Sequence, residues 1–253
     1  MKLTIGMACY KDFDGVYFTV QALRAYHDLT DTEILIVDNY GDKQLEDWVK
    51  AWGHGKIIYK KYTAITGTTQ PRQKVFEWAN GEHVICIDSH VLLTPGSLDK
   101  LWDTDDLIHG IMIYDDMNTP VTHMDDEWQS DMWGVWGRKD RIPKEPFEIP
   151  MHGLGLFGCK KDAWLGFNPD FRGFGGEEGY LHEKFRQAGR KVLCLPWIKW
   201  IHKFRHSAPY PLDISDRIRN YLIGFDELGL DKEPIYKHFG YRMVEQIDSK
   251  RTV

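Results

Sequence analysis

Unbroken apolar runs and stretches of helical spacing alternate along the first part of the chain. The runs are "KLTIGMAC" (2–9), "TEILIVD" opening 32–42, "GKIIYKKY" (55–62) and "EHVICIDSH" (82–90). Between them lie "VYFTVQALRAYH" (16–27), "KQLEDWVKAWG" (43–53) and "TTQPRQKVFEWANG" (68–81), the last with Pro71 in its first turn and Gly81 just past its end. A continuous apolar run suits a strand covered on both faces, and helices between strands supply the covers. The pattern predicts an α/β fold with a mostly parallel sheet flanked by helices.

Beyond residue 95 the periodicity weakens. A strand is expected over 106–116, and 117–151, rich in Asp, Trp, Gly and Pro, reads as a long functional loop. "GLGLFGCKKDAW" (153–164) reads as a strand and short helix, "EEGYLHEKFRQAG" (177–189) as a helix stopped by Gly189, and "KVLCLPWIKWIHKF" (191–204) as a final strand. The division expected is one domain over 1–253: a nucleotide-binding half (1–95), an acceptor and catalytic half (96–210) and a helical extension (211–253).

Composition adds boundaries. The chain is 42% hydrophobic and 28% charged with a net charge of −6, as in soluble globular proteins, so a broad basic face is not forced. Two basic clusters, "GRKDR" (137–141) and "KWIHKFRH" (199–206), suit a phosphate group. Cys9, Cys86, Cys159 and Cys194 stand singly among apolar neighbours and read as buried thiols of a reducing compartment. No run reaches membrane-spanning length, and a cytoplasmic location is expected.

Candidate chemistry gathers where strands end, the usual ligand side of parallel α/β sheets. Asp88 and His90, two residues apart on extended backbone, point the same way and can share a divalent metal; a surface turn is the plain alternative. Asp38 can bond a ribose or base, or close an Asx-turn. In "GFNPDFRGFGGEEGYLHEKFRQAG" (166–189) Gly175 and Gly176 allow close backbone approach by a ligand, and Glu177 and Glu178 open a helix, as catalytic carboxylates or simply as favourable charges there. His202 follows a strand and precedes Arg205, His206 and Tyr210. Trp128, Trp133 and Trp136 can stack on sugar or base faces, or plug the sheet edge, and the acids Asp115, Asp116, Asp125, Asp126 and Glu127 read as a solvated loop. Jointly, a metal-ligand pair, two carboxylates, a further His and cations form the kit for activating a nucleoside-diphosphate sugar.

In these segments the chain resembles the GT-A glycosyltransferases, Rossmann-like nucleotide-diphospho-sugar transferases of the family-2-like group. Among them it resembles the polypeptide N-acetylgalactosaminyltransferases, over the first strand to about Tyr210. Their D-x-H is matched by "IDSH", their Gly-rich strand by "MHGLGLFGCKKDAW", their "WGGEN" by "FGGEE" (174–178), and their "GHVFR…PY" by "IHKFRHSAPY" (201–210). The resemblance implies metal ligation by Asp88, His90 and His202, with Mn²⁺ or Mg²⁺ as cofactor. It implies contacts to a UDP-sugar donor from Asp38, Arg72, Asp88, Arg205 and Tyr210, and catalytic roles for Glu177 and Glu178.

Phe174 replaces the family's tryptophan, and Glu178 stands where retaining relatives carry asparagine and β-1,4-galactosyltransferases an aspartate base. The D-x-H favours a retaining hexosyl- or N-acetylhexosaminyltransferase; a base at Glu178 would mean inversion. The acceptor hydroxyl is left open among protein Ser/Thr, a glycan and a hydroxymethylated base in viral DNA. A sugar nucleotidyltransferase would want a G-x-G-x-R loop that "MACYKDFDG" lacks, and a non-catalytic sugar- or nucleotide-binding module is the other alternative. With no lectin-like segment or stem, a minimal bacterial or viral member is expected.

Overall fold

The structure, a computed structural model, describes residues 1–204, 209–210 and 212–251. Its first part follows the apolar pattern closely. Strands β1 (Leu3–Cys9), β2 (Thr32–Asp38), β3 (Ile57–Lys61) and β4 (His83–Asp88) alternate with helices α1 (Phe13–Tyr26), α2 (Lys43–Trp52) and α3 (Thr69–Trp78). The four strands are mutually parallel in the order β3-β2-β1-β4. Alternate residues of one run serve opposite layers. Ile5, Met7, Ile34 and Ile36 pack with Val16, Val20 and Leu23 of α1, whereas Leu35, Val37, Val84 and Cys86 pack with Val75 and Phe76 of α3. Gly6 permits the second layer: a Cβ there would lie 2.1 Å from Val75 Cγ1, so α3 rests directly on β1 backbone.

The second part comprises β5 (Val91–Leu93), β6 (Leu107–Ile113), β7 (Pro120–Val121), β8 (His123–Gln129), β9 (Met132–Gly137), β10 (Phe147–Glu148), β11 (Leu156–Lys160), α4 (Glu178–Gln187), β12 (Val192–His202), α5 (Ile214–Leu228), α6 (Glu233–Phe239) and α7 (Tyr241–Arg251). The sheet extends in the order β10-β12-β6-β11-β4. Here β11 lies antiparallel between β4 and β6, and β12 is parallel to β6, so the sheet is parallel in two blocks joined by one reversed strand. Cys9, Cys86, Cys159 and Cys194 are all buried, and none is in a disulfide among the described residues. No helix among the described residues is long and apolar enough to cross a membrane.

Residues 117–151 differ from the expected loop. They hold β7 to β10, including an antiparallel β8–β9 hairpin running from the pair His123↔Gly137 to Gln129↔Met132. The two-residue alternation was hidden because a bulge between Asp125 and Trp128 interrupts it and because Asp125, Asp126 and Glu127 face solvent. Trp128 stacks on Trp133 at 5.8 Å and meets Tyr221 and Phe239 edge-on. Together with Ile218, Leu222 and Phe225 they form the core against which α5, α6 and α7 pack. Trp128 and Trp133 therefore act as the plug rather than as a sugar platform. Trp136 remains partly buried, over Gly153 and 5.6 Å from the His152 ring.

Candidate active site

A cavity of about 350 Å³ opens where β1, β4 and β12 end. Parallel pairing sets Ala8 beside Asp88, bringing the loop after β1 against the Asp-Ser-His turn. Immediately after that turn β5 pairs antiparallel with the end of β12, matching Val91 to His202. Two distant stretches of chain thus deliver Asp88, His90 and His202 to one spot, with one ligating atom from each lying within 4.8 Å of the others. His202 Nε2 is 3.4 Å from Asp88 Oδ2, and the two imidazole rings stand 5.1 Å apart, steeply inclined.

Arg72 ties this group to the second carboxylate. From the first turn of α3, almost fully buried, it donates to Asp88 Oδ1 at 2.8 Å and to Glu177 Oε1 at 3.2 Å. Thr68 Oγ1 donates to the same Glu177 oxygen at 2.5 Å. Burial opposes charge on Asp88, but the Arg72 guanidinium and the His202 contact override it and hold the carboxyl well below its usual range. Burial likewise opposes charge on Arg72, and Asp88 and Glu177 reverse it, so Arg72 stays a fixed cation.

Glu177 and Glu178 are neighbours in sequence with different surroundings. Glu177 is fully buried at the N-cap of α4, one oxygen held by Arg72 and Thr68 and the other without a partner among the described residues. Glu178 is partly buried, and its carboxylate has only its own backbone N–H as partner among the described residues. Burial, followed by the charge of Glu177, pushes the Glu178 carboxyl up to about 7. That value suits a group exchanging a proton near neutral pH.

The glycines before them have a packing purpose. Gly175 and Gly176 adopt φ of 93° and 90°, and a Cβ would meet Arg217 Nε at 2.3 Å or Asn220 Cβ at 2.9 Å. The close approach expected from a ligand is made by α5. Phe171 is fully buried against Tyr180 at 4.8 Å, whereas Phe174 lines the cavity. Tyr210 closes over it, 5.6 Å from Phe174 and 5.8 Å from Tyr10. Arg205 and His206 lie outside the described residues.

Asp38 does not line the cavity. It is fully buried; Oδ1 accepts from the backbone N–H groups of Tyr40 and Gly41, and Oδ2 accepts from that of Asp42 and from the Tyr59 hydroxyl. Of its two sequence readings, this is the turn-closing one. Asn39 faces the cavity instead and pins the following loop through Tyr62 and Ile65 carbonyls and the Gly67 N–H. Sequence reasoning missed Thr68, whose polar side chain at a helix start was the available signal, and marked Asn39 only as part of the Asp38-Asn39 strand end.

Residues 4–163 match the family model described as glycosyl transferase family 2. N-acetylgalactosaminyltransferase 7 of Drosophila melanogaster is 27% identical over 207 residues, 70% of this chain and 35% of that protein. Polypeptide N-acetylgalactosaminyltransferase 5 of Caenorhabditis elegans is 27% identical over 206 residues, 70% of this chain and 33% of that protein. The chain thus spans about a third of the length of the curated relatives it matches. Among solved structures, that of GalNAc-T7 with UDP, GalNAc and Mn²⁺ superimposes with a TM-score of 0.73 at 16% identity, over 89% of this chain and 48% of that one. The mannosyltransferase PcManGT from Pyrobaculum calidifontis, with GDP-Man and Mn²⁺, gives 0.58 at 12% identity, over 98% and 73%. At these identities the likeness is one of fold, a GT-A-like sheet and helices.

Proposed function

The chain belongs to glycosyl transferase family 2, and we propose that it is a metal-dependent glycosyltransferase moving a sugar from a UDP-sugar to an acceptor hydroxyl. The observation that carries this reading is the convergence of Asp88, His90 and His202 at a cavity between strand ends, with Arg72 bonded to Asp88. These residues fit a divalent cation: one carboxylate oxygen and two imidazoles lie within reach of one ion, and His202 Nδ1 is buried without a partner among the described residues. Imidazole nitrogens suit Mn²⁺ better than Mg²⁺, which prefers oxygen and water. When bound, the ion supplies charge neutralisation for a diphosphate leaving group.

The chain's own residues do the rest. Arg72 holds Asp88 Oδ1, which leaves Oδ2 turned toward His202. Tyr10, Phe174 and Tyr210 form an aromatic wall that keeps water from the cavity floor. Arg205 is proposed to stabilise the leaving diphosphate. Glu177, fixed by Arg72 and Thr68, orients the sugar and acceptor. Retention of configuration follows the D-x-H resemblance. The specific observation favouring inversion is Glu178, whose raised proton affinity and sparse bonding are those of a general base. The anomeric form of the product, read by NMR, separates the two.

The test is UDP release from a panel of UDP-sugars, with GDP-mannose alongside, with and without Mn²⁺. Mn²⁺-dependent release from at least one UDP-sugar is expected. Release from GDP-mannose alone would replace the donor, and no metal-dependent release from any donor would remove the proposal.

A further inference from the structure

Asp12 stands at the N-terminal boundary of α1, where an aspartate ordinarily accepts from the first backbone N–H groups of the helix. Its side chain makes no such bond. Instead its Oδ2 lies 3.0 Å from His90 Nδ1 and accepts from Ser89 Oγ at 2.5 Å. Two neighbours accommodate that posture. Lys11, just before it, takes φ of 50°, a left-handed conformation unusual for a residue with a side chain. Gly15, in the first helical turn, has no Cβ; one built there would lie 2.3 Å from Asp12 Oδ2 and displace the carboxylate. The helix therefore forgoes both a cap and a good helix former at one end. It also grips the Asp-Ser-His turn further along, where Thr19 Oγ1 lies 3.0 Å from the carbonyls of Ser89 and Val91.

We infer that Asp12 is a positioning residue for His90. Its carboxylate accepts the Nδ1–H, which fixes the imidazole tautomer and orientation and leaves Nε2 as the lone-pair nitrogen for the cation. The inference rests on the cation reading of Asp88, His90 and His202. It adds a residue from a different strand loop, one outside the set of Asp88, His90 and His202.

The experiment titrates Mn²⁺ calorimetrically into the metal-free protein and into Asp12→Ala, Asp12→Asn and Gly15→Ala, with thermal melts of each without metal. Nitrogen-15 spectra of the metal-free proteins at about pH 8 report the His90 tautomer. Asp12→Ala is expected to weaken Mn²⁺ binding by roughly 10–100-fold and to release His90 from the Nδ1–H form. Asp12→Asn, which keeps an acceptor oxygen without the charge, falls between. Gly15→Ala is expected to keep or raise the melting temperature, as a better helix former, while weakening Mn²⁺ binding. Wild-type binding with equal affinity in Asp12→Ala overturns the positioning role and leaves the cation site standing. Absence of Mn²⁺ binding in the wild type overturns both. Weakened binding with an unchanged His90 tautomer and a lowered melting temperature assigns the effect to a loosened turn, and again overturns the positioning role.

Discussion

Two groups of histidines lie on either side of one indole. The Trp200 ring is 5.9 Å from His202, in the cavity group, and 6.0 Å from His152, in a buried group with His109 and His182. His90 and His202 each face a carboxylate, Asp12 and Asp88. Among the described residues the buried three, all fully enclosed, hydrogen-bond only to backbone groups and to one another: His109 Nδ1 is bonded to the Leu156 carbonyl at 2.9 Å, His182 Nδ1 to the Glu178 carbonyl, and the backbone N–H of His152 donates to His182 Nε2 at 3.2 Å. Burial drives the His152 imidazole down to about 4 and that of His182 to about 3, so this group is neutral packing. The histidines proposed as ligands are the ones with a negative charge beside them, and the core histidines have none. That is why histidine counts alone say little about metal sites.

The comparison can be broken from either side. The largest effect is expected for His202→Ala, which should lower Mn²⁺-dependent turnover by more than about 1000-fold, some 4 kcal/mol of lost transition-state stabilisation. Its melting temperature without metal should stay close to that of the wild type; full activity in the variant would remove His202 from the site. Next is His182→Leu, which keeps the volume but strips bonds from the His152 backbone N–H and the Glu178 carbonyl. Urea unfolding should show a loss of about 2–3 kcal/mol, with Mn²⁺ affinity unchanged by calorimetry. A fall in affinity comparable with that of His202→Ala would merge the two groups.

The smallest effect concerns the turn of α4 that His182 supports. Glu178 holds its proton more tightly in the folded chain, at about 7, than a carboxyl does unfolded. Its ionisation therefore costs stability as pH rises from the unfolded value near 4.5, and the cost is complete above 7. Glu178→Gln should match the wild type near pH 4.5 and exceed it at pH 8 by about 2 kcal/mol in denaturant unfolding. An equal gain at both pH values would mean that Glu178's charge is not the cause.

How much of this was legible follows from chain separation. Asp88 and His90 could be paired from sequence because strand geometry puts alternate residues on one side. His202, 114 residues from Asp88, joined them only through the family resemblance. The unequal standing of Glu177 and Glu178 depends on Arg72, 105 residues from Glu177, and on its burial, which no local pattern reveals. The outcome at Asp38 was one of two readings, decided by the backbone donors of residues 40–42 that fold over its carboxylate. The hairpin over 123–137 was lost to its bulge, and the work of Trp128 and Trp133 with it, since their partners lie in the last helices. The strands β1, β2 and β4 were plain because burial on both faces leaves nearly unbroken apolar runs.

The reversed strand β11 has a bearing on biosynthesis. It must slot between β4, finished by residue 88, and β6, finished by residue 113, and β12 must then arrive to pair with β5 before His202 meets Asp88. A chain still emerging from the ribosome can complete its first parallel block, yet it lacks the proposed third ligand until its two-hundred-and-second residue is made. Truncated products would be folded in part yet lack the proposed third ligand, so the sugar transfer proposed for the chain would become possible only when the second block is sutured to the first.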